Sequence, residues 1–154
     1  EHAEEELANN MVVFFTGILR ESSDILSEQN QNTQEGDGEV IESLHQIKQI
    51  GYQIKAALEK NELDRFGELL HQHWITKKKR SDRMSNHQID RWYEIGRAAG
   101  ALGGKILGAG GGGFLMFYCP AEYRWQLREA MSREGLREMH FNFDLAGVKV
   151  LTNI

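Results

Sequence analysis

The sequence has one cysteine and one proline among its 154 residues. With only Cys119 present, an internal disulfide and the paired-cysteine spacings of structural zinc sites are both excluded. The lone thiol fits a reducing compartment, so a cytoplasmic protein is expected. Cys119 stands in an apolar run, which favours an inert buried thiol over a nucleophile. A single Pro120, with 40% hydrophobic residues, argues against a disordered chain. No apolar run approaches the roughly 18 residues that a membrane-spanning helix needs, so no membrane partner is expected. Excess positive charge is also lacking. Lys and Arg number 18 against 23 Asp and Glu, a net charge of −5, which speaks against general nucleic-acid binding. No signal peptide is visible. The chain opens Glu1-His2-Ala3-Glu4-Glu5-Glu6, acidic where such a segment is basic. It carries no initiator methionine, so it reads as part of a longer protein.

Glycine, by contrast, is plentiful, and four glycines are consecutive at Gly110–Gly113, following Lys105-Ile106-Leu107-Gly108-Ala109. Ordering such a segment costs backbone entropy, so a folded domain that keeps one uses its geometry. Gly108-x-Gly110-x-x-Gly113 satisfies the dinucleotide pattern, but that pattern requires a helix to open at the third glycine. Here Phe114–Cys119 is a short apolar run closed by Pro120, and it reads as a buried strand. No Gly-Lys-Ser/Thr follows the glycines, so a P-loop is excluded too. What remains is strand, glycine loop, strand. A plain hairpin turn and a cradle for an anion both satisfy that description.

The rest of the chain supplies the frame. Met11–Phe15 reads as a buried strand ended by Thr16-Gly17. Residues 20–32 look helical and run into a polar loop through Gly38. From Glu39 to Lys60, Val40, Leu44, Ile47, Ile50 or Gly51, Ile54 and Leu58 recur at helical spacing, and Asn61 can end the helix. Leu63, Phe66, Leu69, Leu70, Trp74 and Ile75 mark a second helix running into Lys77–Arg80. Ser85 as cap, with Gln88 three residues on, opens a third helix along Ile89, Trp92, Tyr93, Ile95 and Ala99. Gly100 and then Gly103-Gly104 stop it. Pro120 suits the first position of a further helix, with Tyr123, Leu127, Ala130 and Met131 inward and Gly135 at its end. Met139, Phe141 and Phe143 alternate with His140 and Asn142 as a half-buried strand, and Val148 and Val150 suggest another. This order predicts one α+β domain over residues 1–154. Its mainly antiparallel, ferredoxin-like sheet would carry several helices on one face.

The motif Lys105-x-x-Gly108-Ala109-Gly110-Gly111-Gly112-Gly113 between two strands resembles the third motif of the GHMP small-molecule kinases. His71-Gln72-His73-Trp74, Lys77-Lys78, Ser85-Asn86, Ile89-Asp90, Tyr93, Gly100–Lys105 and Phe114–Pro120 are similar to the branch that phosphorylates the anomeric hydroxyl of a heptose 7-phosphate. Fucose kinases share much of the same segment. The resemblance covers most of residues 10–150 and implies the C-terminal domain of such a kinase. ATP and Mg²⁺ would be held largely by an N-terminal domain carrying a Gly-Leu-Gly-Ser-Ser type loop, which this chain lacks. It implies a sugar-phosphate substrate, no catalytic residue within this chain and no turnover by this chain alone. The missing domain's contact surface would then be exposed, so self-association is expected. Another sugar kinase of the same family, or a non-catalytic ferredoxin-like binding domain, remains the alternative.

On the resemblance, Gly108, Ala109, Gly110, Gly111, Gly112 and Gly113 form a wall of the cleft, where a side chain would obstruct. Lys77, Lys78, Lys79, Arg80 and Arg83 form a cationic patch beside Asp82, suited to a sugar's terminal phosphate. A solvated helix end explains the same charges, since cations favour a helix C-terminus. Lys105 is either a phosphate donor or an ordinary charge at a strand start. His71 and His73 lie two apart and do not share a helix face, so they make no paired metal site. Asp90 reads as a first-turn helix carboxylate, and His87 and His140 have no identifiable partner.

Overall fold

The computed structural model describes residues 2–19, 38–79, 84–108, 110–144 and 146–147, with residues 27 and 30. The expected helix over 20–32, the Val148–Val150 strand, Ala109, and Arg80, Asp82 and Arg83 lie outside the described residues. The elements run α1 (His2–Asn10), β1 (Met11–Phe15), α2 (Gly38–Glu59), α3 (Leu63–Lys78), α4 (His87–Ala98), β2 (Gly103–Ile106), β3 (Phe114–Tyr118), a 3₁₀ turn (Ala121–Tyr123), α5 (Arg124–Arg133) and β4 (Arg137–Met139).

The strands form one sheet in the order β2-β3-β1-β4, with every pairing antiparallel. Both outer strands therefore flank a central pair that is distant in sequence, as the ferredoxin-like prediction requires. In β1 and β3 successive side chains alternate between faces. Val12, Phe14, Leu115 and Phe117 turn to one face, where α4 and α5 supply Ile89, Trp92, Tyr93, Leu127 and Met131 to a common core. Ring packing organises this core. Tyr93 stacks on Phe117 with centroids 5.8 Å apart, and Phe14 meets Phe117 edge-on at 6.3 Å.

Helix α3 is placed differently from the expectation of helices on one face. It runs along the edge strand β2 and contributes to both sides. Trp74 joins the α4–α5 core, while Leu63, Phe66 and Leu70 pack with Val13, Met116 and Tyr118 on the opposite face. Two glycines permit the approach. A Cβ at Gly103 would collide with the Gly67 carbonyl oxygen, and a Cβ at Gly67 would collide with the Tyr118 ring. Gly103 and Gly104 therefore open β2 instead of stopping α4, which Gly100 ends with φ +103°. Helix α2 rests on α3 through Ile50, Ala57 and Leu69. Ala57 occupies the place expected for Leu58, which is 37% exposed. Asn61 leaves α2 with φ +58°.

Three further local expectations need correction, and one helix was not expected. The cap of α4 is Asn86, not Ser85. The Asn86 Oδ1 accepts the Gln88 and Ile89 N–H groups, each at 3.0 Å, while the Ser85 hydroxyl donates to Asp90. Two adjacent residues suited capping, and only the one with extended backbone directly before the helix can serve. Pro120 adopts ψ 149° and precedes a 3₁₀ turn, so α5 begins at Arg124 and Tyr123 is left 45% exposed. Strand β4 stops at Met139. Phe141 and Phe143 instead pair edge-on at 5.7 Å and stay exposed, because they border a hollow of that opposite face whose lining includes no helix residue. Helix α1 gave no periodic signal, since Leu7 is its only large apolar residue. No helix among the described residues is long and apolar enough to cross a membrane.

The α3–β2 approach predicts opposite outcomes for two glycines. Gly103→Ala is expected to cost about 3 kcal/mol in urea unfolding, as over-packing against backbone does. Gly51→Ala, in the exposed middle of α2 with nothing within 4 Å of a new Cβ, is expected to gain about 0.5–1 kcal/mol. An unchanged midpoint for Gly103→Ala would refute the close approach.

Candidate functional site

The glycine loop joins β2 to β3 and is seated by three separate segments. The Leu107 N–H donates to the Phe114 carbonyl at 2.9 Å and closes the hairpin. From the segment after β1, the Thr16 N–H and hydroxyl both donate to the Gly113 carbonyl at 2.9 Å, and the Gly113 N–H donates to the Ile18 carbonyl at 2.9 Å. From the segment before α4, the Met84 carbonyl accepts the Gly111 N–H at 2.6 Å. From the last turn of α3, the Lys77 ammonium donates to the Gly108 carbonyl at 2.8 Å.

The seat explains the composition of the run. Gly108, Gly110, Gly111 and Gly113 have φ between +64° and +109°, a region that residues with a Cβ rarely enter. A side chain at Gly110 would meet Met84, and one at Gly112 would lie 2.6 Å from the Ile18 carbonyl oxygen. A substituent in this run would thus disturb the loop's own seat as well as any cleft in front of it. Two loop N–H groups, those of Gly111 and Gly113, are spent within the chain. Among the described residues no acceptor is recorded for those of Gly108, Gly110 and Gly112. Thr16, Ile18 and Met84 escaped the sequence reading. Thr16 stood only as a strand end, and nothing local marks Ile18 or Met84 as partners of a loop about 90 and about 30 residues away in sequence, respectively.

The candidate cations separate. Lys78 donates to Asp90 at 3.0 Å and lies 5.7 Å from the Trp74 ring centroid. Asp90, read as a first-turn carboxylate, thus joins α4 to α3 and also accepts from Ser85 at 2.8 Å. Both partners are partly exposed, so the pair contributes about 0.5 kcal/mol and acts mainly as a geometric tie. Lys105 lies on β2 opposite Met116. Burial pushes its ammonium below the usual lysine range, and among the described residues no acidic partner faces it.

The expected histidines also part company. The His71 Nδ1 lies 2.9 Å from the Tyr93 hydroxyl, with the two rings stacked at 5.9 Å. Burial first, then the Arg97 charge, lowers the His71 pKa. The ring borders a groove of about 520 Å³ between α2 and α3, where Glu42, His45, Gln46 and Gln49 face Gln72 and Thr76. Trp74 is fully buried in the core and His73 is half-buried, while His87 and His140 are exposed.

A second hollow, of about 490 Å³, opens on the sheet face opposite α4 and α5. Its lining is almost wholly apolar, with Met11, Leu107, Phe114, Met139, Phe141 and Phe143. Leu107 and Phe114 also flank the glycine loop, so hollow and loop form one continuous surface.

Cys119 follows β3 with no exposed surface, and burial pushes its thiol up to about 11. The native chain is expected not to react with an aromatic disulfide reagent at pH 8, and to react fully once unfolded in urea. The neutral thiol is the folded form. Its contribution to stability is therefore complete below pH 9, the unfolded value, and is lost as pH rises towards 11. Native labelling at the rate of a free thiol would contradict this burial.

Comparison with known proteins supplies the family. The model for the GHMP kinases C-terminal domain matches residues 54–138, spanning the seated loop, α3 and the α4–α5 core. The D-glycero-alpha-D-manno-heptose 7-phosphate kinase of Campylobacter jejuni is 34% identical over 144 residues, which is 94% of this chain and 42% of that protein. The crystal structure of a D-glycero-D-manno-heptose 1-phosphate kinase from B. thetaiotaomicron is similar at TM-score 0.59 and 26% identity, over 92% of this chain and 35% of that one. Streptococcus pneumoniae phosphomevalonate kinase, solved with phosphomevalonate and AMPPNP, shares the fold at TM-score 0.68 and 17% identity, over 85% of this chain and 39% of that one. The chain thus spans less than half of the kinases it matches. With its seated third-motif glycine loop and ferredoxin-like sheet, it belongs to the GHMP kinase family, as a C-terminal domain.

Proposed function

We propose that this chain is the C-terminal domain of an ATP-dependent sugar-phosphate kinase that phosphorylates the anomeric hydroxyl of a heptose 7-phosphate. The observation that carries this reading is the glycine loop. Its glycines are held from three separate segments, and among the described residues the Gly108, Gly110 and Gly112 N–H groups have no acceptor. Backbone donors so arranged suit phosphate or hydroxyl oxygens, and phosphoryl transfer depends on positioning and charge neutralisation more than on covalent chemistry by the protein. The kinship with a heptose 7-phosphate kinase points to the substrate.

In this reading Gly108, Ala109 and Gly110–Gly113 line one wall of the cleft. ATP supplies the transferred phosphoryl group, and Mg²⁺ offsets its charge. In this reading the metal is held largely by the preceding domain of the kinase. The substrate's own phosphate falls to Lys77, Lys78, Arg80 and Lys105. Each lysine ammonium has three donors, so Lys78 keeps capacity beyond Asp90. An anion beside Lys105 would offset the cost of burying its charge. The enzyme is placed in the cytoplasm, in keeping with its single cysteine.

The test uses a kinase that contains this chain together with its phosphate-loop domain, assayed with MgATP against a panel of acceptors. Transfer to D-glycero-D-manno-heptose 7-phosphate, seen as a new anomeric phosphorus resonance, is the expected outcome. L-fucose, galactose and mevalonate should be at least about a hundredfold poorer, as expected where buried groups built for one substrate stay unpaired with another. Preference for fucose would overturn the substrate assignment. This chain alone should transfer nothing.

The kinase's own N-terminal domain is the partner that the apolar hollow beside the loop would meet. Without it, Met11, Leu107, Phe114, Phe141 and Phe143 face water, and apolar patches of that kind drive association. The isolated chain is expected to show weight-average mass rising with concentration in sedimentation equilibrium. A strict monomer at the highest concentration would contradict this.

A further inference from the structure

We propose that Lys77 is a positioning residue of the glycine loop, one that fixes the loop's shape before any phosphate arrives. The argument begins with what holds each end. Gly113 is tied by Thr16 and Ile18, Gly112 packs against Ile18, and Gly110 and Gly111 rest on Met84. Gly108 differs. It is exposed, has φ +73°, and nothing lies within 4 Å of where its Cβ would stand. Packing therefore does not hold this end of the loop. Its recorded tie to the body of the domain is the Lys77 ammonium on its carbonyl oxygen at 2.8 Å.

The neighbouring lysine makes this more than a chance surface contact. Lys77 and Lys78 share the last turn of α3, yet their ammonium groups go to different targets. Lys78 reaches Asp90, which also accepts the Ser85 hydroxyl, and Ser85 directly follows Met84, whose carbonyl holds Gly111. The C-terminal turn of α3 thus governs the loop twice. It acts directly at Gly108, and through Asp90 and Ser85 at Gly111. Helix α3 is itself fixed on β2 by the Gly67–Gly103 approach, so the loop inherits its position from that contact. An ammonium suits the task, because its charge strengthens a hydrogen bond to a carbonyl that solvent would otherwise take.

Amide hydrogen exchange of this chain tests the proposal without any reference to activity. The Lys77→Met variant should speed exchange at Leu107, Gly111 and Gly113 by about fivefold, the local opening expected on losing one charged hydrogen bond. Amides of β1 and the middle of β3 should not move. Lys77→Arg should restore most of the protection, since a guanidinium can donate to the same carbonyl. Unchanged loop exchange in Lys77→Met would overturn the proposal. So would loop protection that depends on Lys77 only when inorganic phosphate is added, the mark of a phosphate ligand alone. The kinetic consequence rests on the kinase reading. There, Lys77→Met should lower kcat alike for acceptors with and without a terminal phosphate, beyond any rise in the KM for sugar phosphate. A rise confined to that KM would count against a positioning role. Absence of turnover with every sugar would count against the kinase reading and leave the exchange result standing.

Discussion

The contact on which the rest of the structure depends is the backbone approach of α3 to the edge strand β2 at Gly67 and Gly103. Edge strands usually stay exposed and are protected by charge or distortion. Here a helix lies against one so closely that neither residue has room for a Cβ. That proximity has two results. Trp74, two turns further along α3, reaches the core formed by α4, α5 and the sheet. The last turn of α3 also ends beside the loop leaving β2, where Lys77 meets Gly108. Packing and site geometry are thus consequences of one steric condition.

The glycine loop is ordered although it contains four consecutive glycines. Its conformational cost is offset by hydrogen bonds from three segments that are remote in sequence, at Thr16–Ile18, Lys77 and Met84. Each segment is anchored separately, by β1, by α3 and by the Asn86-capped α4. On the proposed reading, a loop seated in this way favours oxygen contacts, because little ordering remains to be paid for on binding. Its outer rim is apolar rather than charged, through Leu107 and Phe114. A surface of that kind suits contact with another folded layer on one side and a polar ligand at the loop on the other.

Much of the frame was legible in the sequence because it rests on periodicity. The buried positions of α3 and α4, and the strand pair around the glycines, follow from apolar spacing that any packed core enforces. Asn61, Gly100 and Gly135 were readable as helix ends, and all three adopt positive φ. The misreadings share a different cause. Ser85 and Asn86 are chemically equivalent cap candidates, and only backbone geometry separates them. Phe141 and Phe143 alternate as a strand does, yet alternation buries residues only where something covers that face. Helix α1 has almost no apolar signal because it buries little.

The sequence by itself determined the α+β class, the strand–loop–strand frame of the glycines and the family, since each is written in local pattern or motif. It also determined that Cys119 is buried, through its place in the apolar run Phe114–Cys119. Only the tertiary structure decided what each cation does. Lys77, Lys78 and Lys105 are alike as letters, but one donates to a loop carbonyl, one ties α3 to Asp90, and one is half-buried without an acidic partner among the described residues. The difference arises because the chain path from α3 to β2 sets which acceptors lie within reach, and distances between remote segments are not encoded in the spacing of any one of them.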